Sequence, residues 1–506
     1  MRISATLLAA ALAIAGAAGA ETIDYRASVL ADASSGTFAP YMLGSWNSGR
    51  LTEGKGVWLD GYLHRDMDME RRFSWEYGVE FMLGHGSAVN YEYYEAATST
   101  FEHRKARHSS ARLIQLYGAI KYRSVYLLAG MKEQQSLIVD GRLSSGDLVR
   151  SNNARPIPGA AAGFVRFVDI PFTNGWMQIN GEIMYGRMTD DGFDNRQFNY
   201  YQGVLANDLC YTYKRCYFRT KPSQPFSVTV GMQTAGMFGG SSYTYRRGEL
   251  IGEELRGFHL RDLWDMFFPS EGSGENYYKG NSLGSWDFHA RYRFAGGTIV
   301  AAYFEWPFED GSGIGKKNGW DGLWGIQVNL PQGRALESIV VEYLDFTNQS
   351  GYVHFSHSDA PGTTITGHAT GGDDYYNNNF YGPYANYGMS IGTPFLRSPR
   401  YNLDGYPGYL HNRARGFHAA ALGSLTDEWG WRAMISYQKA GGRGRQPAYH
   451  KLHDTSAMVE AQWAPTGTLA GMAVKCSLAF DRGNLRGNNF GGMLSLSYSG
   501  NFTLGR

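Results

Sequence analysis

The chain contains few cysteines, few charged residues and no excess of either charge sign. Its 506 residues include 3 cysteines, 47 Lys and Arg, and 46 Asp and Glu, which gives a net charge of +1. Nucleic-acid-binding domains usually carry a basic excess, so this balance gives no indication of a nucleic-acid partner. Charged residues make up 18% of the chain and aromatic residues 15%. A chain so rich in aromatic residues and so poor in charge is not intrinsically disordered.

The three cysteines leave two arrangements open. Cys210 and Cys216 are close enough in the sequence to form a small-loop disulfide in an oxidising compartment, which would leave Cys476 unpaired. Alternatively, all three thiols are free, and the spacing alone does not decide between these arrangements. No metal-binding pattern of cysteine and histidine surrounds them, and we predict no cofactor.

Long apolar runs are also scarce, and the one that suggests a targeting segment opens the chain. In residues 1–20, Arg2 precedes an apolar stretch that ends in the small-residue cleavage pattern Ala18-Gly19-Ala20, as in an export signal. The stretch is shorter than the ~20 apolar residues of a spanning helix, which disfavours a membrane anchor. We predict a signal peptide over residues 1–20 and a mature chain from Glu21 that is either soluble after export or a β-barrel.

What the chain has in abundance is alternation of large apolar and small or polar residues. Phe73, Trp75, Tyr77, Val79 and Phe81 are separated by Ser, Glu, Gly and Glu. A period of two residues is typical of a β-strand with one apolar and one polar face. The same alternation recurs in residues 177–183, 286–294, 431–437, 472–480 and 494–504.

A soluble sandwich and a membrane barrel both produce strands of this kind, and three features favour the barrel. The segments often have the ~10 residues that a tilted strand needs to cross a bilayer. Their ends are rich in Tyr, Trp and Phe, as membrane-interface girdles are. A last strand running to Leu504 can close the sheet and leave no open edge. We predict an all-β fold, a transmembrane antiparallel β-barrel over residues 21–506, in the cell outer membrane and in contact with its lipid.

The sequence also indicates some of the connections between strands. The apolar positions of residues 114–122 and 125–131 change parity across Arg123-Ser124, which indicates a tight hairpin turn. Two longer polar stretches, 348–387 and 398–411, interrupt the strand pattern. Periplasmic turns of such barrels are short and extracellular loops long, so we expect both stretches on the extracellular side.

One segment, residues 255–268, departs from the strand pattern. Leu260, Leu263, Trp264 and Phe267 have the i, i+3, i+4, i+7 spacing of an amphipathic helix, and Pro269 follows the segment. Such a helix lies on the membrane surface, fills the lumen or packs at the barrel mouth, and the sequence leaves all three open.

Several short motifs, in this order, resemble the Wzi-type capsule assembly family. They are LSSG at 143–146, SNNARPIP at 151–158, GNSLGS at 280–285, PFEDGSG at 307–313, DGLWG at 321–325, DYYNN at 374–378 and SIGTP at 390–394. The resemblance implies an outer-membrane barrel of about 18 antiparallel strands with a small helical element on the periplasmic side. It also implies a lectin-like, non-enzymatic protein that holds capsular or other surface polysaccharide. The chain departs from the usual terminal aromatic residue by ending in Leu504-Gly505-Arg506.

Two groups of residues are candidates for binding polysaccharide. Alternation places Asp287, His289, Arg291 and Arg293 on one side of a strand, where Arg291 and Arg293 can offer guanidinium groups to carboxylates of an acidic polysaccharide. The alternative is that lumen charges of opposite sign pair with each other and fill the barrel.

The second group is a run of Tyr and Asn, namely Tyr375, Tyr376, Asn377 and Asn378. Aromatic rings can stack on the C–H faces of sugars, and Asn supplies donors and acceptors for sugar hydroxyls. The alternative is that these tyrosines belong to a packed loop or to an interface girdle.

Patterns that would indicate catalysis or a metal are weak. Residues 280–284 match G-x-S-x-G around Ser282, but a strand follows instead of the helix that a nucleophile elbow needs. The groups His354, His357, His368, Asp373 and Asp374 match no metal-ligand spacing and are expected in a solvated loop. We therefore predict neither an enzyme nor a metal site.

The leading hypothesis from the sequence is an outer-membrane protein that binds or tethers capsular or other surface polysaccharide. A diffusion porin or transporter is the main alternative, and an outer-membrane enzyme acting on lipid or glycan is a third. Protein partners are not indicated by any motif.

Overall fold

The computed structural model describes residues 21–107, 109–268, 280–309, 311–351, 354–356, 368–370, 372–444 and 446–504. The signal peptide expected over residues 1–20 lies outside these ranges. None of the helices formed by the described residues has the length and apolar character needed to cross a bilayer.

Eighteen antiparallel strands form one closed barrel. The first and last strands pair along most of their length, from Glu21 opposite Leu504 to Ser34 opposite Gly491, which confirms the expected closure. The strands are β1 Glu21–Phe38, β2 Glu53–Arg65, β3 Phe73–Gly86, β4 Ala111–Tyr122, β5 Val125–Met131, β6 Gly159–Phe164 with Val168–Asp169, β7 Met177–Arg187, β8 Cys210–Thr220, β9 Phe226–Phe238, β10 Asn281–Arg293, β11 Ile299–Phe308, β12 Gly322–Asn329, β13 Ser338–Asp345, β14 Ala414–Ser424, β15 Trp429–Arg443, β16 Gln446–Trp463, β17 Met472–Gly483 and β18 Asn489–Leu504.

The alternation in the sequence corresponds to the two faces of the wall. In β13, Val341 points outward and is 53% exposed, whereas its neighbour Glu342 points into the barrel and is 1% exposed. Large apolar side chains are exposed on the outside of strands all around the barrel, for example Leu59, Ile326, Ile435 and Leu494. A closed sheet with an apolar outer surface is suited to lipid on the outside. The protein is an outer-membrane β-barrel.

Aromatic girdles flank this apolar surface, as the strand ends predicted. At the end where Glu21 and Leu504 lie, the ring of Tyr25 lies 6.1 Å from that of Tyr498, and Trp429 lies 6.3 Å from Trp463. At the opposite end, the rings of Phe304 and Trp324 stack at 3.8 Å.

Connections at the two ends of the barrel differ in length. One end has short turns, from the two residues 123–124 to the eight residues 330–337, and the turn at 123–124 confirms the predicted hairpin. At the other end the connections are longer, except for those after β15 and β17, and the longest, 346–413, contains both predicted polar stretches. Short turns are periplasmic and long loops extracellular in barrels of this class.

The helices lie in the long extracellular loops. They are α1 Tyr41–Gly44, α2 Phe193–Gln197, α3 Leu260–Phe267 and α4 Gly311–Ile314, with a 3₁₀ turn at Pro399–Tyr401. Among the described residues, the short-turn end has only the 3₁₀ turn Gly467–Leu469. The expectation of a helical element on the periplasmic side is therefore wrong for the described chain, because the connections there are too short to hold one.

The extracellular loops also contain small sheets of their own. A hairpin between β3 and β4 pairs Val89–Glu95 with Thr100–Ala106, and a three-stranded sheet joins Gln202–Asn207, Gly240–Arg246 and Glu249–Arg256. Two shorter pairs join His354–Ser356 to His368–Thr370 and Ala385–Asn386 to Met389–Ser390.

The helix predicted over residues 255–268 is shorter than expected. Residues 249–256 form an edge strand of the three-stranded sheet, and α3 begins only at Leu260. The Asp262 carboxylate accepts a hydrogen bond of 2.9 Å from the backbone N–H of His259 and so fixes this start.

The cysteines are all free. Cys210 and Cys216 lie six residues apart on one strand, β8, so about 20 Å of extended chain separates them. A disulfide needs Cα atoms within about 7 Å, and the small-loop disulfide is therefore excluded. Both side chains face outward, opposite in parity to the inward-facing Tyr211, Tyr213 and Tyr217.

Candidate functional site

Two extracellular loops fold inward and fill the upper part of the barrel. We call residues 138–157 and 372–412 together the plug. Glu342, on the inner face of β13, accepts a hydrogen bond of 2.7 Å from the backbone N–H of Ser145. Glu305, on β11, accepts one of 2.7 Å from the backbone N–H of Leu148. The polar inner face of the wall thus satisfies the backbone of a buried loop, which removes the cost of burying it.

The opposite side of the wall holds the plug as well. Arg150 of the plug lies 2.8 Å from Glu182 on β7, and Arg215 on β8 lies 2.8 Å from the other oxygen of the same carboxylate. Arg400 of the plug and Arg112 of β4 both contact Glu53 on β2. Charges of opposite sign therefore pair across the lumen, which agrees with the alternative to ligand binding for charges in the barrel.

The two parts of the plug pack closely against each other. The Asn153 amide donates a hydrogen bond of 2.9 Å to the Ser390 carbonyl, and the Thr393 hydroxyl donates one to the Ser145 carbonyl. A Cβ at Gly392 would lie 2.3 Å from the Leu148 carbonyl oxygen, so only glycine fits at this contact.

Tyr375 and Tyr376 belong to the plug and are 2% and 6% exposed. The Tyr375 hydroxyl donates a hydrogen bond of 3.0 Å to Asp321, and the Tyr376 hydroxyl donates one to the Leu148 carbonyl. Burial raises the pKa of both phenols. The packed-loop alternative agrees with this position, and stacking on sugar by these two rings stays a prediction that requires the plug to open.

Asn377 and Asn378 are half-buried and serve mainly to shape the same loop. The Asn377 side chain donates a hydrogen bond of 2.9 Å to the Tyr409 carbonyl and accepts one of 2.8 Å from the Tyr409 N–H. The Asn378 side chain accepts 2.8 Å from the N–H of Phe380. Their proposed role with sugar hydroxyls is likewise untested.

The charged strand is β10, and its polar side faces the lumen as predicted. Asp287 is fully buried and accepts a hydrogen bond of 2.5 Å from Tyr217. Arg291 lies further toward the short-turn end and donates 2.8 Å to the Pro222 carbonyl in the β8–β9 turn, and Arg293 ends the strand. The structure therefore puts Arg291 and Arg293 at the periplasmic end, away from the Tyr-Asn run in the extracellular half.

The weak catalytic and metal patterns gain no support from geometry. Ser282 lies within β10 on its outward face, and no helix follows it. Asp374 is paired with Arg443, His357 lies outside the described residues, and His354 and His368 are at opposite ends of their short hairpin. In the part of the chain that the structure describes, no three His, Cys, Asp or Glu side chains gather as a metal site.

A cluster of half-exposed aromatic side chains crosses three extracellular loops. We call it the aromatic ridge; its ring pairs lie 4.9–5.6 Å apart. Tyr94, Phe101 and Tyr201 form one triangle of contacts, while Tyr200 and Tyr245 meet above the buried Phe198. The members of the ridge are Tyr94, Phe101, Tyr200, Tyr201 and Tyr245, together with Tyr93, which is linked to Tyr200 through the Arg104 guanidinium.

Backbone hydrogen bonds fix the ridge to the rest of the loops. The N–H of Tyr94 donates a hydrogen bond of 2.7 Å to the Asn199 carbonyl, and the N–H of Glu92 donates one of 2.8 Å to the Leu403 carbonyl. The Arg104 guanidinium lies 4.4 Å from the centre of the Tyr93 ring and 5.4 Å from that of Tyr200. The rings are therefore held in place before any ligand arrives, which reduces the entropy lost on binding.

Polar groups surround the ridge on both sides. Exposed Arg246 and Arg247 line an open depression with Gln202 and Glu249. On the other side, a second depression lies between α2 and the plug. Asp194 lines it, and burial, with the neighbouring charge of Asp190, raises the pKa of this carboxyl well above its ordinary value. Rings with flanking hydrogen-bonding groups are the combination that a glycan surface needs.

The ridge leaves no single signal in the sequence because its residues are scattered over three connections. The local signals were the tyrosines of YEYYE at 91–95, NYYQ at 199–202 and YTYRR at 243–247. In each, tyrosines lie next to charged or amide residues, in the same way as in the run at 374–378, but only the tertiary structure brings the three together.

The imidazole of His411, at the end of the plug, predicts a pH dependence of stability. Burial and then the charge of Arg397 lower its pKa from 6.5 to about 4. A group whose pKa is lowered on folding stabilises the protein above its unfolded pKa, and that contribution is lost as the pH falls from 6.5 toward 4. We expect the free energy of unfolding to fall by about 1–2 kcal/mol, reduced from the full linkage value because the ring is partly exposed.

Urea unfolding of the barrel in detergent micelles at pH 7 and pH 4 measures this loss. The side chain in His411→Asn is uncharged at both pH values. The free energy of unfolding of this variant should therefore fall by about 1–2 kcal/mol less between pH 7 and pH 4 than that of the unaltered protein. An unchanged pH dependence in the variant would contradict the assignment to His411.

Comparison with known proteins identifies the fold. No family model and no curated protein sequence matches the chain. The structure of Wzi, described as an Escherichia coli outer-membrane protein involved in Group 1 capsule assembly and a carbohydrate-binding barrel, is similar with a TM-score of 0.57 and 12% identity. The alignment covers 98% of this chain and 88% of Wzi.

Solved structures of proteins from two other bacteria were also found. Acinetobacter baumannii OccAB2 aligns with a TM-score of 0.49 and 8% identity over 95% of this chain and 98% of its own. Pseudomonas aeruginosa OprD aligns with a TM-score of 0.45 and 8% identity over 96% of each chain. At these identities the likeness concerns the fold, and membership of the Wzi-type family stays a prediction.

Proposed function

We propose that this outer-membrane barrel binds capsular or other surface polysaccharide at the extracellular face and holds it there without catalysis. The observation that carries the proposal is the aromatic ridge, six rings preassembled on the extracellular loops with exposed arginines beside them. The filled upper lumen supports the same role, because binding at the mouth needs no open passage. A distant fold similarity to Wzi, itself described as carbohydrate binding, is consistent with it.

The contact chemistry follows from the residues of the ridge. Tyr94, Tyr201 and their neighbours offer ring faces to the C–H surfaces of sugars, and their hydroxyls offer donors and acceptors. Arg246 and Arg247 can pair with carboxylates of uronic acids, which favours an acidic polysaccharide. Binding by the arginines implies weaker retention at high salt, since charge pairs in water are screened.

Gene deletion in the native bacterium tests the tethering role. Without the protein, polysaccharide should move from the cell-associated fraction to the culture medium, while the total amount stays the same, because synthesis is not affected. Complementation with the intact gene should restore the cell-associated fraction. Unchanged retention in the deletion strain would contradict tethering, and a fall in total polysaccharide would indicate a role in synthesis instead.

A further inference from the structure

Helix α3 lies on the outer wall of the barrel and not in the lumen. Three outward-facing residues of neighbouring strands hold it: Tyr185 on β7, Lys214 on β8 and Gly236 on β9. The Tyr185 hydroxyl donates 2.6 Å to the Leu263 carbonyl. A Cβ at Gly236 would lie 2.6 Å from the Met266 methyl carbon, so the absence of a side chain lets the helix approach the wall.

Without the helix, the charged side chain of Lys214 would cost free energy, because it lies on the lipid side of the wall. Its side chain projects outward from β8, four residues below the extracellular end of that strand, where neighbouring outward side chains such as Phe218 face lipid. The ammonium donates a hydrogen bond of 3.1 Å to the Met266 carbonyl and one of 2.5 Å to the Phe267 carbonyl. These carbonyls belong to the negative end of the helix, so α3 supplies a partner for a charge on the lipid side of the wall.

The remaining faces of α3 are sharply divided. Leu260 and Trp264 are 79% and 66% exposed, and the Trp264 ring packs against exposed Phe268 at 4.8 Å. Arg261, on the adjacent face, lies 3.8 Å from Asp265. Asp262 and Met266 face the wall. The helix therefore has one side against protein, one apolar side and one charged side, which is the pattern of a helix lying at a membrane interface.

We propose that α3 is an outer-leaflet anchor: Leu260, Trp264 and Phe268 bind the acyl chains of outer-leaflet lipid, with Arg261 and Asp265 at the water side. The occupant follows from continuity, because this apolar face extends the lipid-facing surface of β7, β8 and β9. Leu255 and Phe258, just before α3, are exposed apolar side chains as well. This inference is independent of the polysaccharide proposal, since it concerns the outside of the wall.

The anchor has a consequence for the loops. The segment that leads into α3 is the edge strand of the sheet Gln202–Asn207, Gly240–Arg246 and Glu249–Arg256, which also carries Tyr245 of the ridge. Lipid binding by α3 would therefore fix one side of the extracellular loop assembly at the membrane surface.

Spin labels in proteoliposomes of phospholipid with lipopolysaccharide test the position of α3. In a background with Cys210→Ser, Cys216→Ser and Cys476→Ser, single variants Leu260→Cys, Trp264→Cys and Arg261→Cys receive the label. Phe288→Cys on the outer face of β10 is the lipid reference, and Tyr449→Cys, where the native ring is 95% exposed, is the water reference. A heat-dependent shift in gel mobility shows that each variant is folded.

Collision rates with oxygen, which partitions into lipid, and with a polar nickel chelate, which does not, distinguish the possible surroundings. We expect the oxygen-to-nickel ratio at Leu260 and Trp264 to match that at Phe288 and to exceed that at Arg261 roughly tenfold, because polar solutes are excluded from hydrocarbon. Nickel accessibility at Leu260 and Trp264 equal to that at Tyr449 would place the face in water and overturn the proposal. Low collision rates with both reagents would indicate a protein neighbour, such as a second copy, and would overturn it as well.

Discussion

Replacing residues 374–410 of the plug with a short Gly-Ser linker should convert a poorly conducting barrel into an open channel. A barrel of 18 strands is wide enough to leave an aqueous passage, and in this protein the loops occupy its upper part. We expect the mean ionic conductance per protein in planar bilayers to rise by roughly tenfold or more once the segment is removed, because a water-filled path replaces packed side chains.

A deletion outside the lumen provides the matched control. Removing residues 96–99, at the tip of the hairpin between β3 and β4, shortens an extracellular loop without touching the plug. Its conductance should equal that of the unaltered protein, and heat-dependent gel mobility should confirm that both variants fold. If the unaltered protein conducts as strongly as the variant without residues 374–410, the plug does not close the barrel and the porin alternative becomes the better interpretation.

The double variant Tyr94→Ala, Tyr201→Ala should lose most of the affinity for polysaccharide. Each ring that stacks on a sugar is worth about 1 kcal/mol beyond the area that it buries. Loss of two rings with their buried area, about 2–3 kcal/mol in all, corresponds to a dissociation constant roughly 30- to 160-fold higher. Surface polysaccharide purified from the native bacterium, titrated against the purified barrel, provides the measurement.

Two further variants separate loss of ring faces from loss of fold. Tyr94→Phe alone keeps both rings and should retain affinity to within about fivefold, because the single hydroxyl hydrogen bond that it can lose contributes about 1 kcal/mol. Tyr449→Ala removes an equally large exposed ring outside the ridge and should have no effect. Equal loss of affinity in the ridge and Tyr449 variants would show that the ridge is not the binding surface.

The strands could be predicted from the sequence because their alternation depends only on residues that are adjacent in the chain. Alternation at Phe73–Phe81 or residues 472–480 places one face of a strand toward lipid and the other toward the lumen, and this requirement is local in the sequence. The parity change at Arg123-Ser124 identified a turn for the same reason. Composition, export pattern and alternation together were therefore enough for the barrel and for the outer membrane.

The direction in which the long loops fold was decided only by tertiary structure. Tyr375 and Tyr376 have the composition of a sugar-binding run, yet Leu148 and Asp321, which are distant in the chain, accept their hydroxyl hydrogen bonds and bury their rings. Arg291 was a candidate lumen cation for acidic polysaccharide, and only its place in the register showed that it lies at the short-turn end of the barrel, away from that run.

The same holds for the helix and for the cysteines. The sequence by itself determined that residues 260–267 are amphipathic, but three outward-facing wall residues determine that the helix lies outside the lumen. It left the pairing of Cys210 and Cys216 open, and the extended strand between them excludes a bond. Local periodicity thus determined the wall of this protein. Contacts between segments that are far apart in the chain determined which loops fill the lumen, which helix lies on the outer wall and which aromatic residues meet on the extracellular loops. Those contacts leave no periodic signal in the sequence.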